Sequence, residues 1–386
     1  MDSQQPCDSL SVRSILSGSV ALRLLIGWGS VVSAAVAAPA GAQLPHLLLG
    51  VVLTALVVII AYCAFGVVQQ AEHLAQRLGD PYGSLVLTLS IVIIEVILIM
   101  AVMLGPGESA TIARDSVMAV SMVILNLVVG LSLLLGALRH GSLRLNSAGT
   151  STYLAMLIVL ITFGLIMPGA IGEEGAYTAW QQVVVVAITL AVYGFFLLRQ
   201  TTAEASDYRE PVPLTVAGDH HDRATSSGLA QVLRDHRREV LTRAAVLVGT
   251  VLPIVLLSHD MAALLDDGLA RMNAPIALAG LLIAMIVFLP EGITAVRAGL
   301  SGEAQRVINL CHGALVSTVG LTIPAVLIIG AATGQTVILA ESLPHVVLLA
   351  VSLLLGMNTV LAKRISAGHG AVHLAVFVAY AMTLFS

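Results

Sequence analysis

Apolar stretches long enough to cross a bilayer recur along the chain at 20–38, 47–68, 84–104, 116–138, 152–170 and 178–198. They return at 243–258, 275–296, 307–330, 344–361 and 370–386. A hydrocarbon core of roughly 30 Å needs about 20 helical residues at about 1.5 Å of rise each, so the pattern predicts eleven transmembrane helices. The short seventh run is interrupted by Pro253. Between the sixth and seventh runs, the stretch from Arg199 to Glu239 is rich in Pro, Ser, Asp and His, the composition of a linker. The chain therefore divides into an N-terminal tail and first helix (1–40), a five-helix unit (41–198), a linker (199–240) and a second five-helix unit (241–386).

Composition removes the soluble alternative: 58% of residues are hydrophobic, 10% are charged, and the mean hydropathy is +0.98. A net charge of -4 with a single lysine, Lys363, gives no basis for nucleic-acid binding. Cys7, Cys63 and Cys311 are far apart and lack metal or disulfide spacing. No resident cofactor is expected, and membrane lipid and small inorganic cations are the expected partners, with the oligomeric state left open.

Basic residues in the loops give an orientation. With the N-terminus inside, sixteen of the 18 fall on the inner side and only Arg114 and Arg271 outside, which places the C-terminus outside. The expected location is the bacterial inner membrane. Arg13 and Arg23 precede an apolar stretch ending "AAVAAPAGA", which also reads as a signal-peptide cleavage site, so residues 1–40 are open to removal.

Two acids lie well inside apolar runs. Glu95 is in the middle of "SLVLTLSIVIIEVILIMAVML" and Glu291 is in "APIALAGLLIAMIVFLPEGITAVRAGL". An acidic side chain at that depth costs about 2.5 to 3.5 kcal/mol to insert, so it is expected to face a partner, an ion or water. Five crossings separate the two helices, an odd number, so they run in opposite directions as in an inverted repeat. The expected fold is thus an all-α polytopic membrane protein with one N-terminal helix and two inverted five-helix repeats.

Other positions repeat weakly. Pro81 and Pro275 precede the two Glu, and Asn126 and Thr318 each stand twelve residues after an arginine, Arg114 or Arg306, in the following helix. Gly280 and Ala284 share a helical face with Glu291 and would admit close helix approach, with Ser84 and Thr88 in the matching places before Glu95. Two carboxylates meeting near the midplane can coordinate a hard cation, and each must lose its proton to do so. Competition for one site then couples cation and proton movement. An interhelical hydrogen-bonded clamp is the alternative for either acid.

The stretch "AEHLAQRLGDPYGSLVLTLSIVIIE" resembles the first signature repeat of the cation/proton exchanger branch of the calcium/cation antiporter superfamily. "LPEGITAVRAGLSGEAQRVINLCHGALVSTVGLTIPAVL" is similar to the second repeat of its ChaA-type calcium, sodium and potassium/proton antiporters. The resemblance implies a secondary antiporter that exports Ca2+, Na+ or K+ against protons by alternating access. It also implies that Glu95 and Glu291 are the cation and proton sites, with Asn126 and Thr318 at the polar positions of the following helices. The chain departs from the family at Ile91, Val92, Val287 and Phe288, where Gly-Asn pairs are usual.

Secondary candidates for a proton path or regulation are Glu72 and His73 at the end of the second helix, and Asn309 and His312 on the ninth. A solvated helix end and a packing histidine are the alternatives. The linker's "GDHHD", Gly218 to Asp222, could sense divalent ions or simply be solvated. A channel and an intramembrane enzyme are the competing functions. The chain has no Gly-x-Ser-x-Gly around Ser317 and no His-Glu-x-x-His, which argues against an enzyme.

Overall fold

The computed structural model describes residues 17–37, 45–78, 92–93, 96, 99–100, 110–201, 237–275, 277–362 and 364–385. Its helices are α1 (Gly18–Ala37), α2 (His46–Leu78), α3 (Ile112–Met122), α4 (Val129–His140), α5 (Ser147–Ile161), α6 (Met167–Ile171) and α7 (Ala179–Thr201). After the linker come α8 (Arg237–Arg271), α9 (Ala277–Val287), α10 (Leu289–Ser301), α11 (Ala304–Thr333), α12 (Leu343–Leu361) and α13 (Ala367–Thr383). Two π-helical turns, Val123–Val128 and Thr162–Ile166, join α3 to α4 and α5 to α6 without ending either rod.

Among the described residues eight continuous rods are long and apolar enough to span a membrane, the bent pair α9–α10 makes a ninth, and α13 is a shorter apolar helix. Most of the expected run at 84–104, with Glu95, Ser84 and Thr88, lies outside the described residues, as do Pro81, residues 1–16 and "GDHHD". The surface is that of a protein solvated by lipid: Leu25, Leu47, Val183 and Leu361 are all at least 70% exposed, while Asn126, Ser132, Gln305, Ser317 and Thr322 are fully buried.

Helices pair across the two halves by exchange. The long rods α2 and α8 lie together, α4 packs against α13, and α11 packs against α7. Likewise α5 packs on α11 while α12 packs on α3 and the first π-turn. The third helix of each repeat therefore rests on the fourth and fifth of the other, the arrangement an inverted duplication produces.

Lipid offers no hydrophobic drive for helix association, so close packing carries it. A Cβ at Gly136 of α4 would lie 2.5 Å from the Gly299 carbonyl of α10, and one at Gly370 of α13 would strike the Leu134 backbone of α4. Backbone meets backbone at both places. Gly302, with φ of 85°, ends α10 in the left-handed region and turns the chain into α11.

Two expected helices differ from the sequence reading. Pro253 does not interrupt its run: α8 is continuous from Arg237 to Arg271, and Pro253 fits against Gly27 of α1. Neighbouring helices absorb the local disturbance of a membrane proline. Conversely, the run at 275–296 is not one helix. It breaks at Phe288, where α9 and α10 meet at a bend of 59°.

Candidate functional site

Glu291 is the third residue of α10, immediately after the break, and is 6% exposed. The local sequence explains the break. Phe288 N–H still bonds the Ala284 carbonyl at 3.0 Å, but Pro290 has no N–H to give the Ile286 carbonyl four residues earlier. An acceptor at the end of α9 is thus left for another partner one turn from a buried carboxylate. Broken membrane helices with this juxtaposition of half-helix ends supply carbonyl ligands for cations.

The first turn of α10 packs on the π-turn. A Cβ at Gly292 would sit 3.4 Å from Val128, an ordinary contact, so Glu291 is held close against the third helix of the first half. Gly280 lets α9 approach the backbone at Asp115 of α3, but the break at Phe288 removes the single helical face it was expected to share with Glu291.

Asn126 lies within the π-turn and is fully buried. Its amide does not face α10. Nδ2 donates to Ser352 Oγ of α12 at 2.8 Å, and Oδ1 lies 3.3 Å from His373 Nδ1 of α13. The polarity of this chain is fixed: Ser352 donates its proton to the Leu348 carbonyl at 2.7 Å, so its oxygen must accept from Asn126. That leaves Oδ1 for the imidazole. The Leu125 carbonyl faces the same ring, so two acceptors surround it and the Nδ1–H tautomer is the one that satisfies them. The sequence reading missed His373 and Ser352, although a histidine within the last apolar run was a visible signal.

Thr318 is buried on α11. Its neighbour Ser317, also buried, donates to the Gly313 carbonyl at 2.9 Å.

The remaining candidates scatter. His73 is exposed on α2, and the Glu72 side chain lies outside the described residues. Asn309 accepts from Gln305 Nε2 at 3.0 Å, and Gln305 Oε1 in turn accepts from the Asn146 N–H at 2.8 Å, a tie between α11 and the start of α5. His312 is buried, edge-on to Tyr153 with ring centroids 6.2 Å apart. Arg243, counted with the loop charges by sequence, is instead buried in α8, paired to Glu239 at 3.1 Å and donating to Gln70 of α2 at 3.3 Å.

A cavity of about 480 Å³ lies along the other side of α10, bounded by α1, α2 and the start of α11. Pro290, the residue before Glu291, and Arg306 are both among its lining residues.

The sodium/calcium exchanger protein family matches residues 47–202 and 243–386, which takes in all of these helices except α1. The chain is 33% identical over 375 residues to the sodium-potassium/proton antiporter ChaA of Escherichia coli (strain K12), covering 97% of this chain and 96% of that one. Its fold resembles native YfkE, with a TM-score of 0.67 at 16% identity over 94% of this chain and 99% of the other. It also resembles the H+/Ca2+ exchanger CAX, with a TM-score of 0.65 at 14% identity over 95% of this chain and 89% of that one. A broken helix with a buried glutamate at its first turn, set in an exchange-symmetric helix bundle, thus sits in a chain that belongs to the sodium/calcium exchanger family.

Proposed function

We propose that the protein is a secondary antiporter that moves Na+, K+ or Ca2+ out of the cell against protons by alternating access, with Glu291 and Glu95 as its titrating ligands. The observation that carries this is the Glu291 carboxylate, buried in the first turn after a break at which Pro290 deprives the Ile286 carbonyl of its helical donor. Carboxylate and carbonyl oxygens are the hard donors that alkali and alkaline-earth cations take. A carboxylate that binds the cation must first be deprotonated, so protons and cations compete for it and their fluxes are coupled. Sequence similarity to a sodium-potassium/proton antiporter supports the monovalent cations, and the fold of an H+/Ca2+ exchanger keeps calcium among the cargoes.

The sixteen-to-two distribution of basic residues supports a cytoplasmic N-terminus and an inner-membrane location. No enzymatic chemistry is part of this reading. The test is an acid-loaded everted vesicle with a pH dye, to which Na+, K+ and Ca2+ are added separately. Proton release on adding at least one of them supports antiport, whereas cation uptake with no proton movement contradicts it.

A further inference from the structure

We propose that the cavity between α1, α2 and α10 binds a phosphate-class anion. Three guanidinium groups from three helices line it, Arg23 of α1, Arg297 of α10 and Arg306 of α11, and Glu303 is the only acid among its lining residues. Two positive charges are left in excess. Arg306 pairs with Glu303 at 3.0 Å, but both side chains are well exposed, so the pair is weak. Arg297 has no ion-pair or hydrogen-bond partner among the described residues. Arg23 lies over the Tyr62 ring at 5.3 Å and donates through Nη1 to Gln69 Oε1 at 2.7 Å, while its Nε is buried without a partner.

Guanidinium forks lining one open cavity match the oxygens of a phosphate better than any neutral ligand. Their depth agrees with a headgroup. Arg23 is five residues into α1, Arg297 four from the end of α10, and Arg306 two into α11, all within about 8 Å of the same end of the bundle at 1.5 Å per residue. Leu22 and Leu25, flanking Arg23 in sequence, are exposed on α1 as lipid-facing residues are. Basic pockets between transmembrane helices at this level hold anionic headgroups. A free phosphate or phosphate ester arriving from the aqueous side offers the same chemistry.

Occupancy would matter to transport, a step that rests on the proposed function. Pro290, the residue before Glu291, lines the same cavity, so a bound anion would cancel surplus positive charge close to the candidate site.

The test uses the full-length chain in two arms. In phosphatidylcholine nanodiscs doped with phosphatidylglycerol, lipid retained by the protein is measured by mass spectrometry, and in pure phosphatidylcholine discs radiolabelled inorganic phosphate is titrated. Retention of phosphatidylglycerol assigns a lipid headgroup, phosphate binding assigns a free anion, and either supports the site. Arg297→Gln is expected to weaken that binding about tenfold and Arg297→Lys to keep most of it. Should Arg297→Gln fail to melt cooperatively, Arg306→Gln replaces it with the same expected loss. Binding in neither arm, or binding unchanged by the Gln variant, overturns the proposal. Anion binding in a protein that exchanges no cations would leave the site standing and refute the antiporter reading instead.

Discussion

Gly136→Ala puts the packing account under direct strain. The new Cβ would lie 2.5 Å from the Gly299 carbonyl, whereas ordinary contact begins at 3.4 Å, so α4 and α10 must separate locally by about 0.9 Å. The Leu143 Cδ1 methyl at 2.9 Å can swing aside, but the Gly299 carbonyl is backbone and cannot. Overpacking of this kind costs about 1–3 kcal/mol, and the gain of replacing a helical glycine by alanine returns at most about 1 kcal/mol. Gly292→Ala is the matched control on α10, because its Cβ meets Val128 at an ordinary 3.4 Å and only the gain applies. The two variants should therefore differ by about 1–3 kcal/mol, with Gly136→Ala the less stable. Because α10 carries Glu291, a shift approaching 1 Å should also lower the exchange rate by about tenfold to a hundredfold. Melting in detergent and dye-monitored exchange in vesicles read both effects. Equal melting and equal exchange in the two alanine variants would refute the claim that backbone contact between α4 and α10 sets the position of the site.

Two further predictions follow from hydrogen bonding. His373→Ala removes the donor to Asn126 Oδ1 and leaves a buried acceptor unmet, which should destabilise the protein by about 1–3 kcal/mol. His373→Gln, which keeps a donor, should recover part of the loss in the same melting assay, and an Ala variant as stable as the native protein would contradict the network. Pro290→Ala returns an N–H four residues after Ile286, so it should straighten the break, raise the melting temperature and weaken apparent cation affinity in a K0.5 measurement. Unchanged affinity would show that the break serves no ligand.

The spans were legible because apolar runs of about twenty residues have few other uses. Glu291 was legible for the converse reason, that a charge in such a run is costly. Pro253 misled because proline ends helices in water, whereas here Gly27 of α1 receives its ring and α8 runs on. Pro290 was in plain view before Glu291, but a hydropathy window averages across a proline, so the bend at Phe288 was not seen. The π-turn at Val123–Val128 leaves no trace in composition, since it only rotates an unbroken apolar helix. That rotation turns Asn126 toward Ser352 and His373. Only tertiary contacts could reveal which way a buried amide faces.

The central claim is that Glu291 and its inverted-repeat twin Glu95 act as one titrating cation site. It is tested most directly by cation-induced proton release in vesicles for Glu291→Gln, Glu95→Gln and the double variant, each shown by melting to be folded. Glutamine keeps the size and one carbonyl oxygen but neither carries charge nor takes up a proton. The account predicts that each single change abolishes coupled exchange and that the double is no worse, the non-additivity of residues acting as a unit. Coupled exchange persisting in either folded single variant contradicts it.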